Sequence, residues 1–169
     1  PAPGARAVSV SAGRMHSAAV LDDGQVVTWG DNAHGQCGVS AEMTPLNVAP
    51  AELELLDAAV ALPARIPLPE RASAVACGEL HCLALGVSGA VYAWGDNVYG
   101  QLGSVTDHAS EPPLRVPVGE PVVALSAAAF HSLALTDRGL VFGWGDNTHG
   151  QLGSHRAGFV AALLSGGAE

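Results

Sequence analysis

Three copies of one decapeptide govern what this chain can fold into. Trp29-Gly30-Asp31-Asn32-Ala33-His34-Gly35-Gln36-Cys37-Gly38 recurs at 94–103 and at 144–153, with seven of the ten positions identical in all copies. A histidine stands thirteen residues before each tryptophan (His16, His81, His131), and a glycine five residues before it (Gly24, Gly89, Gly139). Self-similarity on this scale, roughly thirty residues or more per copy, is the mark of a repeat architecture rather than of one irregular core.

Between each glycine and tryptophan lies a short β-prone run, Gln25-Val26-Val27-Thr28, Ala90-Val91-Tyr92-Ala93 or Leu140-Val141-Phe142-Gly143, so each copy reads as a hairpin with a turn glycine. The preceding strands, such as Ser17-Ala18-Ala19-Val20-Leu21 and Ser132-Leu133-Ala134-Leu135-Thr136, are small and apolar at most positions, as expected of strands covered on both faces. A third strand is expected at Ala64-Arg65-Ile66-Pro67-Leu68 and Leu114-Arg115-Val116-Pro117-Val118, outermost because the internal proline lacks an amide donor. No equivalent is evident after the third repeat. Small sheets of this kind bury their faces only against neighbouring copies, and radial stacking of antiparallel sheets is a propeller. The division expected is 1–38 for the first repeat, 39–62 for an inserted loop or short helix, 63–103 and 104–153 for the second and third repeats, and 154–169 for a continuation or tail.

Taken together, Gly-x-x-His, the turn glycine and Trp-Gly-Asp-Asn-x-x-Gly-Gln-x-Gly resemble the repeat of the regulator of chromosome condensation family. The resemblance runs over residues 8–153, interrupted by 39–62, and implies an all-β fold: about three antiparallel blades of that family's seven-bladed propeller. Two positions depart from the pattern. Ala128 stands where Gly13 and Gly78 supply the glycine of Gly-x-x-His, and Cys37 stands where the other copies have Leu102 and Leu152.

Composition narrows the function classes. The formal net charge is −9, from seven basic residues, all arginine, against sixteen acidic ones, and no basic stripe is visible, so a nucleic-acid partner is disfavoured. No apolar stretch approaches the roughly 20 residues that span a bilayer, which argues against membrane insertion. The chain opens on Pro1-Ala2-Pro3-Gly4 without an initiator methionine and reads as a piece of a longer protein. Its three cysteines, Cys37, Cys77 and Cys82, are odd in number and form no Cys-x-x-Cys pair; this argues against a disulfide framework and a zinc knuckle and points to an intracellular, reducing compartment.

The candidate chemistry lies almost wholly inside the repeat. Asp31, Asp96 and Asp146 beside Asn32, Asn97 and Asn147 form a carboxylate array of the type hard cations use. Recurring once per blade, they fit turn chemistry better, with Gly35, Gly100 and Gly150 taking left-handed conformations. His16, His81 and His131 have the chemistry of metal ligands or general bases, but their fixed place in each copy points to a structural hydrogen bond. Cys77, His81 and Cys82 look like a soft-metal cluster; alignment sets Cys77 against Ala12 and Ala127 and Cys82 against Ser17 and Ser132, so small-residue replacement is preferred. Trp29, Trp94 and Trp144, Gly30, Gly95 and Gly145, and Gln36, Gln101 and Gln151 complete the structural motif. No nucleophile elbow, phosphate-binding loop or acid–base pair stands outside it, so the expectation is a non-enzyme without cofactor or metal.

The insert at 39–62 is what the repeat explains least. Pro50 opens a segment that puts Leu53, Leu56 and Val60 at i, i+3 and i+7, the spacing of one short amphipathic helix available to a partner. The overall expectation is a protein-interaction scaffold within a larger assembly. The family resemblance implies the alternative, guanine-nucleotide exchange on a small GTPase of the Ran type.

Overall fold

The computed structural model describes residues 4–39, 59–104, 109–153 and 160–162. They form twelve strands in three four-stranded antiparallel sheets, each a meander in chain order. The first sheet holds β1 (Ala7–Ala12), β2 (His16–Leu21), β3 (Val26–Asp31) and β4 (Ala59–Ile66). The second holds β5 (Ala72–Cys77), β6 (His81–Gly86), β7 (Val91–Gly95) and β8 (Ser110–Val116). The third holds β9 (Val122–Ala127), β10 (His131–Thr136), β11 (Val141–Gly145) and β12 (Val160–Ala162). The fold is a partial β-propeller of three blades.

Each blade opens on a strand that the sequence reading does not assign. That strand, as in Ala7-Val8-Ser9-Val10-Ser11-Ala12, alternates between its two faces with only small side chains. The outermost strands also differ in extent. β4 begins at Ala59 and β8 at Ser110, so Pro67 and Pro117 follow these strands instead of lying within them. The prolines inside them are Pro63, Pro112 and Pro113, at the register shifts opposite Thr28/Gly30 and Ala93/Gly95. A bulge on an edge strand is where a missing amide donor costs least. An outermost strand exists in the third blade too: β12 pairs Val160 with Gly143 and Ala162 with Val141. The insert consequently joins two strands of one sheet instead of two repeats, and its residues 59–62 begin β4.

Val60, expected on a helix with Leu53 and Leu56, lies in β4 opposite Gly30 and packs half-buried against the core between the first two blades. Leu53 and Leu56 lie outside the described residues. The pairing of β4 with β3 on both sides of the bulge, at Ala59–Val60 and at Ala64–Ile66, outweighs a helical spacing over a few residues.

Period-two alternation explains the core. On β6, Cys82 and Ala84 point into a cluster shared with Ala18, Val20 and Val26 of the first blade, while Leu83 and Leu85 point into a second cluster with Ala134, Val122 and Trp144 of the third. All six residues of β6 are buried. The backbone carbonyls of turn residues Gly24 and Gly89 accept from the Ala72 and Val122 amides of the following blade at 2.8 and 2.9 Å, so adjacent blades are also hydrogen-bonded. The expected outcome is that Leu83→Ala, at a site with no solvent exposure, costs about 2–5 kcal/mol in urea unfolding. Val10→Ala on β1, at 72% exposure, should stay within about 0.5 kcal/mol of the parent.

Candidate functional site

The Trp-Gly-Asp-Asn segments leave the ends of β3, β7 and β11 and close into near-identical loops. In the second blade, Gln101 donates from Nε2 to Asp96 Oδ2 at 2.7 Å and its Oε1 accepts from the Tyr99 amide at 2.8 Å. Asn97 Oδ1 accepts from the Leu102 amide at 2.9 Å. The first blade repeats this with Gln36 to Asp31 at 2.6 Å, His34 to Gln36 at 2.8 Å and Cys37 to Asn32 at 2.8 Å. In the third the bonds are Gln151 to Asp146 at 2.7 Å, His149 to Gln151 at 2.9 Å and Leu152 to Asn147 at 3.0 Å. Each aspartate is thus engaged in its own loop, and the three carboxylates do not converge. The Thr148 amide above all, helped by the Thr148 hydroxyl and Gln151, holds the Asp146 carboxyl below the usual carboxylate range.

These loops orient the glutamine carbonyl toward the next blade. Trp94 Nε1 donates to the Gln36 carbonyl at 3.0 Å, and Trp144 Nε1 to the Gln101 carbonyl at 2.8 Å. Both indoles are essentially inaccessible to solvent. The loop's last glycine makes room: Gly38 has φ +64°, and a Cβ there would stand 2.8 Å from Trp94 Cδ1.

The histidines make the second inter-blade bond. Ser132 Oγ donates to the Gln101 carbonyl at 2.9 Å, which commits its hydrogen, so its oxygen accepts from His81 Nε2 at 2.9 Å. Burial, together with the neighbouring His16 and His131, pushes the His81 imidazole down to about 3, so it is neutral in this role. The same ring bears on the glycine of Gly-x-x-His: a Cβ on Gly78 would collide with His81 Cε1 and with the Ala128 carbonyl. At the other junction His16 Nε2 meets Cys82 Sγ at 3.1 Å, where the third blade has Ser132. His131 is half-buried, in the copy whose turn carries Ala128.

Cys82 has a further partner. It lies directly opposite Cys77 across β5 and β6, and the two sulfurs are joined as a disulfide. This corrects the expectation drawn from the odd cysteine count: two of the three cysteines face each other across a strand pair, a proximity that spacing in the chain does not reveal. Cys37 stands apart, its thiol donating to the Asp31 carbonyl at 3.4 Å.

The surface beside the loops is apolar in a way the motif itself does not display. Tyr99 in the second blade's loop and Phe130 in the third blade's turn make a tilted ring contact, with centroids 4.9 Å apart. Val98 and Met15 are 71% and 65% exposed. Loop and turn belong to one face, because the Asp31, Asp96 and Asp146 amides donate to the carbonyls of Met15, Leu80 and Phe130 at 2.8–2.9 Å. These residues occupy the variable positions of the two motifs, which motif matching passes over; their signal in the sequence is that apolar side chains stand where turns ordinarily carry polar ones.

Residues 23–85 and 88–135 match the regulator of chromosome condensation (RCC1) repeat, and a second description of that repeat matches 7–36, 72–101 and 122–151. The chain belongs to this family. Among its relatives is the probable E3 ubiquitin-protein ligase HERC3 of Homo sapiens, 42% identical over 96 residues, which is 57% of this chain and 8% of that protein. The fold superposes on human WBSCR16 with a TM-score of 0.79 and 26% identity, covering 96% of this chain and 40% of that one. It also superposes on Prp20p from Saccharomyces cerevisiae, a structure described with that protein's binding properties to Gsp1p and histones, with a TM-score of 0.65 and 27% identity over 80% of this chain and 32% of that one. The chain therefore spans well under half of these proteins. Among the described residues no helix is long and apolar enough to cross a membrane.

Trp144→Phe removes part of a buried ring system together with one of the two donors to the Gln101 carbonyl, which keeps Ser132 Oγ; lost volume and lost hydrogen bond together should lower stability by about 1–3 kcal/mol, read as a shifted urea midpoint with an unchanged slope. Gly38→Ala should cost at least about 1–2 kcal/mol from its left-handed backbone alone, measured in the same way.

Proposed function

We propose that this chain is a non-catalytic protein-interaction scaffold, a propeller segment working within a larger assembly, and that it holds its partner on the face formed by the Gly-x-x-His turns and the Trp-Gly-Asp-Asn loops. The observation that carries the reading is the exposure of Met15, Val98 and Tyr99, with Phe130 in ring contact with Tyr99. Aromatic residues and methionine are the side chains enriched where proteins dock. The motif's polar side chains point the same way. His81, Asp96, Asn97 and Gln101 are buried and hydrogen-bonded within the fold, so they support architecture rather than turnover.

Leu53 and Leu56, read from the sequence as partner-docking residues, are proposed as a second contact for the partner, whereas Val60 packs against the core. Guanine-nucleotide exchange on a Ran-like GTPase is the competing reading, and it draws support from the likeness to Prp20p and its described binding to Gsp1p.

Tyr99→Ala and Met15→Ser should each weaken recovery of the physiological partner about tenfold or more, as the loss of one interface anchor does, while the unfolding midpoint stays put. Quantitative affinity capture of the intact protein with cross-link mapping reads this out. Unchanged recovery by both variants would discard the docking face. In parallel, mant-GDP release from a panel of small GTPases should not accelerate in the presence of the protein; acceleration would bring the exchange reading to the front.

A further inference from the structure

The junction between the first two blades differs from the next one in a way that architecture does not require. His81 meets a serine, Ser132; His16 meets Cys82, and Cys82 is backed by Cys77. Both cysteines depart from the other copies, which have Ser17 and Ser132 at one position and Ala12 and Ala127 at the other. The two departures fall on directly opposed residues of one strand pair, under the one imidazole that the preceding blade supplies. One ligand atom from each of His16, Cys77 and Cys82 lies within 4.8 Å of the other two, and all three residues are buried.

We propose that His16, Cys77 and Cys82 form a binding site for a thiophilic d10 cation, zinc(II) or copper(I), clamped across the joint between the first and second blades. Two sulfurs and an imidazole nitrogen are the donors such ions select over oxygen-ligated hard cations. A route of entry exists: Cys77 borders a cavity of about 280 Å³ at the turn ends of the blades, also lined by Gly13, Arg14, Gly78, Glu79 and Ala128. Copper(I) is satisfied by the three protein ligands; zinc(II) completes a tetrahedron with a water from that cavity.

The disulfide and the ion are mutually exclusive occupants. A dithiol reductant breaks the Cys77–Cys82 bond, delivering two electrons and two protons and leaving as its own cyclic disulfide. The ion then binds both sulfurs as thiolates, and the two thiol protons pass to solvent. In the disulfide state His16 reaches the cysteine pair through Cys82; with the ion bound, His16 of one blade is tied to both sulfurs of the other.

The test uses the intact protein, reduced under argon and freed of reductant, with thiols counted before titration. Cobalt(II) serves as the spectroscopic stand-in for zinc, and copper(I) is delivered from a chromophoric chelator. The expected result is one equivalent bound, with a sulfur-to-cobalt charge-transfer band that zinc abolishes, or one equivalent of copper(I) withdrawn from the chelator; which ion wins names the occupant. Cys77→Ala and Cys82→Ser install the third blade's own residues, so folding is retained, and each should weaken binding at least about 100-fold, more than loss of an outer partner would. Oxidised protein should bind neither ion. The proposal is overturned if the reduced, folded protein retains neither metal, if both variants bind as the parent does, or if the folded protein never yields the Cys77 and Cys82 thiols.

Discussion

The backbone carbonyl of Gln36, and likewise of Gln101, is the group on which the blade arrangement turns. It receives the indole N–H of the next blade, and at Gln101 the hydroxyl of Ser132 as well. A buried carbonyl tolerates little error in position, because an unmet acceptor away from water costs as much as a lost hydrogen bond. The aspartate–glutamine and asparagine bonds of each loop fix the curl that presents it. Hence the apparent excess of polar residues in the decapeptide: they hold one oxygen in place for a neighbour. The apolar clusters follow, since Trp94 and Trp144 reach their sites only by entering the space between two blades.

Much of this was legible before the structure. The turn glycine, the β-prone run after it and the tryptophan mark β2–β3, β6–β7 and β10–β11, and their recurrence implies stacking. The first strand of each blade was not legible, because Ala7-Val8-Ser9-Val10-Ser11-Ala12 alternates weakly and carries no large side chain to announce a buried face. The start of β4 was misread for a tertiary reason. The spacing of Leu53, Leu56 and Val60 suits a helix, but Gly30 on β3 offers Val60 a pairing partner that no local window contains.

The cysteine neighbourhood shows where reading along the chain fails. Adjacency groups His81 with Cys82, yet successive residues of a strand point to opposite faces. His81 therefore serves the junction with the third blade and Cys82 the junction with the first. The imidazole that does face Cys82 lies sixty-six positions away. Register, not sequence distance, assigns such partners, and it becomes visible only once the sheets are placed.

The bonds between blades also have a direction. Each blade offers a glutamine carbonyl and a histidine on one side, and a tryptophan with a serine or cysteine on the other. The two sides are complementary to each other and neither is complementary to itself. Contacts of this kind are heterologous: they join head to tail, and a series of them either curves until its ends meet or keeps adding members. Two such arrays set face to face through like sides would confront carbonyl with carbonyl and indole with indole. The inter-blade hydrogen bonds thereby exclude symmetric pairing through blade faces and leave ring closure as the arrangement in which every such group is matched.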